Sequence, residues 1–153
     1  MDVVATIKRT ATLENLPALL ETVTACAREQ GVNPKHVADI ELSLEEVLVN
    51  IIRHAYQDRG GDVEVHCGVD RRRRFIVTIV DWGRPFDFSA VAAPDITADI
   101  AHRAIGGLGI FLIKQLMDDV GYRREKGRNI LTLTLDPAAK TQSNTTRNRK
   151  GPT

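Results

Sequence analysis

Hydrophobic residues recur three or four positions apart in two long segments near the start of the chain. The first segment follows Thr12, which can cap a helix, and stops at Gly31. The second begins with Asn33 and Pro34, a pair typical of an N-cap and a first helical residue, and continues to about Tyr56. The spacing predicts two amphipathic helices. Their apolar positions are Leu13, Leu16, Leu20, Val23 and Ala27, then Val37, Ile40, Leu44, Val47, Leu48, Ile51 and Ala55.

Alternating apolar and polar residues predict strands elsewhere in the chain. A first strand is expected over Val3–Lys8. Val63–Val69 and Phe75–Val80 flank a basic turn and are predicted to form a β-hairpin. Two closing strands are expected over Val120–Arg124 and Ile130–Leu135.

A third helix is expected to open at Gly109, with Phe111, Leu112, Leu116 and Met117 as its apolar set. The predicted helices and strands are segregated along the chain, and this arrangement is typical of the α+β class. We expect a two-layer sandwich, in which a mainly antiparallel sheet of about five strands is covered on one face by three helices.

The segment between Asp81 and Gly109 is too long and too polar for an ordinary connection, and loops of this kind are usually functional lids. A helical turn is expected within it, around Thr97–Arg103. The last stretch, residues 137–153, holds four basic residues, no acidic residue and almost nothing apolar, which predicts a disordered basic tail. Residues 1–136 then form the folded domain.

Composition narrows the class of protein. The chain has 153 residues, 42% of them hydrophobic, and a net charge of +1, which is ordinary for one globular domain and excludes a wholesale nucleic-acid binder. Without the four basic residues of the tail, 17 basic and 20 acidic residues remain. Cys26 and Cys67 are too few for a disulfide scaffold. Neither a signal peptide nor a membrane span is visible, so a cytoplasmic location is expected.

Four polar residues share one face of the second predicted helix, while its apolar residues point elsewhere. They are Glu46, Asn50, Arg53 and His54, at about 0°, 40°, −20° and 80° around the axis. A solvated polar stripe is the ordinary explanation for such a face. A functional interpretation needs support from other motifs.

The sequence DWGRPF, which begins at Asp81, follows an apolar strand and offers one such motif. The Asp81 carboxylate can accept a hydrogen bond from an exocyclic amine, and Gly83 leaves room for a flat ring. By itself the motif is weak, because Asp-x-Gly is also common in turns.

The sequence GGLG, residues 106–109, leads directly into the third predicted helix. Free backbone N–H groups at a helix start, together with the helix dipole, form a phosphate site that glycines allow a ligand to approach. A flexible connection is the alternative if the motif stands alone.

Together and in this order, the three motifs resemble those of the GHKL ATPase superfamily. The N box and the two glycine boxes of that superfamily are similar to ELSLEEVLVNIIRHAY, DWGRPFDF and GGLGIFLIKQLMD. Within the superfamily, the compact chain with Glu46, Asn50 and the His54–Tyr56 segment resembles the bacterial anti-sigma factor serine/threonine kinases of the RsbW type. The fold implied is the Bergerat, or GHKL ATPase, fold.

The resemblance implies a role for each residue of the first two boxes. Asn50 would ligate Mg²⁺, and Glu46 would be the base that deprotonates an incoming serine or threonine hydroxyl. Glu45 is ranked second for that role because it lies about 100° around the helix. Asp81 would accept from the adenine amine, with Gly83 beneath the ring.

The same resemblance places the second glycine box in the nucleotide site. Gly106, Gly107 and Gly109 would cradle the phosphates of ATP, and Leu108 lies between them. Residues 84–105 would form the lid over the nucleotide. Arg53 and His54 would also belong to the site, in a positioning or structural role.

One departure from the family pattern concerns the last strand. Many members carry a threonine after the glycine that precedes this strand, and it helps to hold the adenine. Here Arg128 and Asn129 stand in that region, with Thr132 and Thr134 as weak substitutes.

The activity implied is ATP- and Mg²⁺-dependent phosphorylation of a small anti-sigma factor antagonist, a STAS-type protein, on serine or threonine. A sigma factor would be an alternative partner, the assembly would be a homodimer, and no membrane or direct nucleic-acid contact is expected. A binding module that holds a partner without phosphate transfer is the alternative from another class, and a base at Glu46 argues mildly against it. An ATPase fragment of a sensor histidine kinase is disfavoured, because no phosphoacceptor helix precedes Met1.

Overall fold

Five strands form one antiparallel sheet in the order β1-β2-β3-β5-β4, with β3 in the centre. The computed structural model describes residues 1–56, 59–85 and 107–138. In chain order the elements are β1 Asp2–Thr10, α1 Leu16–Glu29, α2 Pro34–His54, β2 Asp62–Val69, β3 Phe75–Asp81, α3 Gly107–Leu116, β4 Asp119–Glu125 and β5 Arg128–Leu135. The predicted α+β fold, with a five-stranded sheet and three helices, is confirmed.

The core lies between one face of the sheet and the helices. Alternate residues of the three inner strands are buried, because successive side chains of a strand point to opposite faces. They include Val63 and Val65 of β2, Phe75, Val77 and Ile79 of β3, and Leu131, Leu133 and Leu135 of β5. Helix α2 contributes buried Ile40, Leu44 and Leu48 and packs against both α1 and α3.

The predicted start of α2 is confirmed in detail. Oδ1 of Asn33 accepts a hydrogen bond from the backbone N–H of His36 at 2.9 Å, and Pro34 is the first helical residue. This bond satisfies one of the N–H groups that a helix start leaves without an intrahelical partner.

The predicted start of α1 is wrong. Thr12 precedes only a 3₁₀ segment, Leu13–Asn15, its side chain makes no capping hydrogen bond, and the α-helix begins at Leu16. Pro17 explains the delay. It has no N–H to donate to the carbonyl of Leu13, and its ring would clash there, so an α-helix cannot run from Leu13 through Pro17 without a break.

Helix α3 differs from the prediction at its start and in its buried face. It begins at Gly107, two residues before the predicted opening. Its buried residues are Ile110 and Ile113, whereas Phe111, Leu112 and Leu116 are half-buried. The predicted Met117 is also buried, but it lies just after the end of the helix. The helix is apolar on most of its circumference, so the sequence pattern does not select one face.

A tight hairpin joins the last two strands. Only Lys126 and Gly127 separate the paired residues Glu125 and Arg128, and both turn residues have positive φ angles, 52° and 77°. Two residues with positive φ are typical of a type I′ turn, whose twist matches that of the strands. Both strands are therefore longer than predicted, and Asn129 belongs to β5.

Several predictions fall on residues that the structure does not describe. The helical turn at 97–103, nearly all of the expected lid at 84–105 and most of the expected tail lie outside the described residues. None of the described helices combines the length and apolar character needed to cross a membrane.

The two cap positions give a test of helix stability. Replacement of Asn33 by alanine should lower the free energy of unfolding by about 1 kcal/mol, because the capping bond to His36 is lost. Thr12→Ala is the matched control and should cost less, since Thr12 makes no capping bond. Urea unfolding of the two variants measures both values, and equal losses would contradict the assignment.

Candidate functional site

Helix α2 carries the first group of predicted site residues along one side. Glu46, Asn50 and His54 are half-buried, whereas the side chain of Arg53 is exposed. The buried residues of α2 occupy the side that packs into the hydrophobic core. The face predicted from the helical spacing therefore exists, although its members differ in exposure.

The carboxylate of Glu46 lies against the first turn of α3. A Cβ atom built on Gly109 would come within 2.6 Å of Glu46 Oε2, so a side chain at position 109 would displace the carboxylate. The structure thus brings together two residues that are 63 positions apart, one from the N box and one from the second glycine box. Gly107 and Leu108 lie in the same first turn, and Gly106 is outside the described residues.

Asp81 ends the central strand β3 and is 4% exposed. Its Oδ1 accepts two hydrogen bonds of 2.9 Å, one from the backbone N–H of Gly83 and one from the side-chain amide of Asn129. Burial raises the pKa of Asp81, while these two bonds and the charge of Arg124 oppose that rise. None of the described residues donates a hydrogen bond to Oδ2. Among those residues the fully buried side-chain polar atom that lacks a partner is Ser43 Oγ, and not Asp81 Oδ2.

Asn129 is not among the candidate site residues predicted from the sequence. In the β3–β5 register it stands directly opposite Asp81, whereas Thr132 and Thr134 pair with Thr78 and Ile76. Because the odd and even positions of a strand face opposite sides, the two threonines lie on the other face of the sheet from Asp81 and cannot substitute. The two-residue Lys126–Gly127 turn fixes only the pairing of β4 with β5, which places Arg124 beside Asn129, and no local pattern predicts the β3–β5 register.

Two residues of β4 hold the side chain of Asn129. Its Oδ1 accepts from Tyr122 Oη at 2.6 Å and from Arg124 Nη1 at 3.0 Å. Its Nδ2 donates to Asp81 Oδ1 and also to the carbonyl oxygen of Arg84 at 2.8 Å. Asn129 therefore links the end of β3, the first residues after it and the edge strand β4.

The end of α2 packs directly on the segment that follows β3. The carbonyl oxygen of Ala55 accepts from the N–H of Arg84 at 2.9 Å, and a Cβ on Gly83 would lie only 2.3 Å from that oxygen. Tyr56 adds a second connection, because its hydroxyl accepts from the N–H of Trp82 at 2.7 Å and donates to the carbonyl of Asp62. Burial raises the pKa of Tyr56. Glycine is thus required at position 83 because the backbone at the end of α2 leaves no space for a Cβ atom. The sequence alone explains this glycine only by the space that a flat ring needs.

Comparisons with known proteins agree with this fold and these motifs. A family model described as a histidine kinase-like ATPase domain matches residues 9–135. The serine-protein kinase RsbW of Bacillus cereus (strain AH820) is 30% identical over 129 residues, which are 82% of this chain and 80% of that protein. RsbW of Bacillus thuringiensis (strain Al Hakam) is 29% identical over the same shares. The chain belongs to the histidine kinase-like ATPase family, and within that family its relatives include the RsbW serine-protein kinases.

Solved structures show the same fold at lower identity. A blue-light activated histidine kinase of Erythrobacter litoralis EL346 superposes with a TM-score of 0.58 and 21% identity over 83% of this chain. A structure of the RsbU and RsbW domains of Rv1364c from Mycobacterium tuberculosis gives a TM-score of 0.57 and 16% identity over 86% of this chain. The chain spans 43% and 32% of those two chains, so the similarity concerns one domain of each.

The close approach at Gly83 can be tested by adding one methyl group. Gly83→Ala should lower the free energy of unfolding by about 1–3 kcal/mol, because the new Cβ meets the backbone of Ala55 and the helix end must move. Gly121→Ala is the control, since a Cβ at that strand position meets nothing within 4 Å. Denaturant unfolding measures both, and a neutral Gly83→Ala variant would contradict the contact.

Proposed function

We propose that this chain is an ATP-dependent protein serine/threonine kinase of a partner-switching system. Its substrate would be a small anti-sigma factor antagonist of the STAS type, and a sigma factor would be the alternative partner. Family membership and the similarity to RsbW serine-protein kinases support the activity. A homodimer in the cytoplasm is the proposed assembly.

The contact of Glu46 with the first turn of α3 is the observation that carries the proposal. A helix start offers backbone N–H groups to phosphates, so a carboxylate beside it would lie near the phosphoryl group to be transferred. A half-buried carboxylate at this point can accept the proton of an incoming hydroxyl group. A protein that only bound a partner would have no need for a base there.

The C-terminal end of α2 supports the proposed position of the adenine ring. Ala55 is nine residues after Glu46, a separation of about 14 Å along the helix axis. Asp81 lies close to this end, because Gly83 and Arg84 contact Ala55. Such a separation suits an extended nucleoside triphosphate whose base is bound by Asp81 and whose phosphates lie near α3.

Asn50, which is half-buried on the polar face of α2, is a suitable ligand for a magnesium ion. Mg²⁺ prefers oxygen ligands and is usually bound by one or two protein groups together with substrate phosphates. Asn50 would hold the ion through its amide oxygen, and the bound ion would offset phosphate charge. No cluster of three His, Cys, Asp or Glu side chains suited to a metal occurs in the described parts of the chain, so phosphate oxygens would complete the ligand set.

The nucleotide site is tested by calorimetric titration with ADP. In wild type, Mg²⁺ should strengthen ADP binding relative to the same titration in EDTA. Asn50→Ala should reduce the affinity in Mg²⁺ to the value measured in EDTA, because the ligand of the ion is lost. Absence of ADP binding by wild type under both conditions would overturn the kinase proposal and leave a protein-binding module.

The catalytic proposal is tested at Glu46. Glu46→Gln should retain nucleotide affinity and lower phosphate transfer from ATP to a purified STAS-domain antagonist by about 100-fold or more, because an amide cannot accept the proton. Glu45→Gln is the matched control and should transfer phosphate at close to the wild-type rate. Near-normal transfer by Glu46→Gln would remove Glu46 from the role of base.

A further inference from the structure

We infer that Asn129 is a positioning residue that sets the base selectivity of the site, because it fixes Asp81 as a pure hydrogen-bond acceptor for an amino group. This inference deepens the proposed function and rests on Asp81 as the group that contacts the base. It concerns a residue that the sequence motifs did not include.

The orientation of the Asn129 amide is determined by its partners. Oδ1 receives two donors, Tyr122 Oη and Arg124 Nη1, and the guanidinium group of Arg124 cannot accept a hydrogen bond. Nδ2 faces two acceptors, Asp81 Oδ1 and the carbonyl oxygen of Arg84. A flipped amide would put its oxygen against two acceptor oxygens and its nitrogen against the guanidinium of Arg124, so only one orientation satisfies every group.

This orientation determines how Asp81 meets a ligand. Oδ1 is already occupied by the N–H of Gly83 and by Asn129, and both bonds favour the ionised carboxylate. None of the described residues donates a hydrogen bond to Oδ2, which is left as an acceptor for a ligand. A purine with an amino group at C6 can donate to it, whereas a purine with a carbonyl at C6 would place two acceptors against each other.

Asn129→Asp is the decisive variant because it keeps the shape and replaces the donor by a second carboxyl group. The new carboxyl group cannot donate to Asp81 Oδ1 as the amide does and repels it when ionised, so Asp81 either takes up a proton, which leaves Oδ2 an uncharged acceptor, or turns away. We expect the ratio of GDP to ADP dissociation constants to fall by about 10-fold or more, since the bond that is lost involves a charged group. Competition of ADP and of GDP against a fluorescent ADP analogue measures the ratio.

Two further variants separate positioning from folding. Tyr122→Phe removes one donor to Asn129 without a change in charge, and it should lower the same ratio by about threefold. Asn15→Asp is the control, because it makes the same chemical change at an asparagine whose amide donates to the carbonyl of Thr10. It should leave the ratio unchanged. Circular dichroism verifies that each variant is folded, and Tyr122→Phe provides the test if Asn129→Asp is not.

The possible outcomes distinguish this inference from the proposed function. A lower ratio in Asn129→Asp and Tyr122→Phe, with an unchanged ratio in Asn15→Asp, supports the positioning role. An unchanged ratio, whether both affinities stay the same or fall equally, overturns the positioning role and leaves the proposed nucleotide site in place. A wild-type chain that binds no ADP removes both.

Discussion

The packing of the end of α2 on the end of β3 is the constraint on which the candidate site depends. Ala55 accepts a hydrogen bond from Arg84 and leaves no space for a side chain at Gly83. This contact fixes the helix relative to the central strand of the sheet. Because α2 is one continuous helix, the same contact also determines where Glu46 meets α3. One backbone contact thus aligns the two ends of the site.

The buried carboxylate of Asp81 shows how the sheet stabilises a charged group at the end of its central strand. Burial of a charged group is unfavourable unless hydrogen bonds replace the lost water. Here the replacement comes from a backbone N–H and from an amide that β5 places directly opposite. The donors from β4 then hold that amide in place. Residues of three strands thus hold the carboxylate in one position, and this would reduce the reorganisation needed if Asp81 binds a ligand as proposed.

The sequence predicted the features that follow from local chemistry. Asn33 and Pro34 gave the start of α2, helical spacing gave its polar face, and alternation gave the β2–β3 hairpin. Features that depend on distant contacts were not predictable from a local pattern. The partner of Asp81 depends on the pairing of β3 with β5, and the need for glycine at position 83 depends on the position of a helix that ends 29 residues earlier. The roles of Glu46, Asn50 and the glycines in nucleotide binding remain predictions.

The two-residue turn between β4 and β5 has a consequence for how this protein can diverge. Loops usually tolerate insertions because they lie at the surface and contact little. Here the Lys126–Gly127 turn sets which residues of β4 stand beside Asn129. A single inserted residue would leave the sheet intact and yet shift β4 by one position, so that Tyr122 and Arg124 would point to the other face and no longer hold Asn129. The length of this surface turn should therefore be under stronger evolutionary constraint than the identity of many residues in the core.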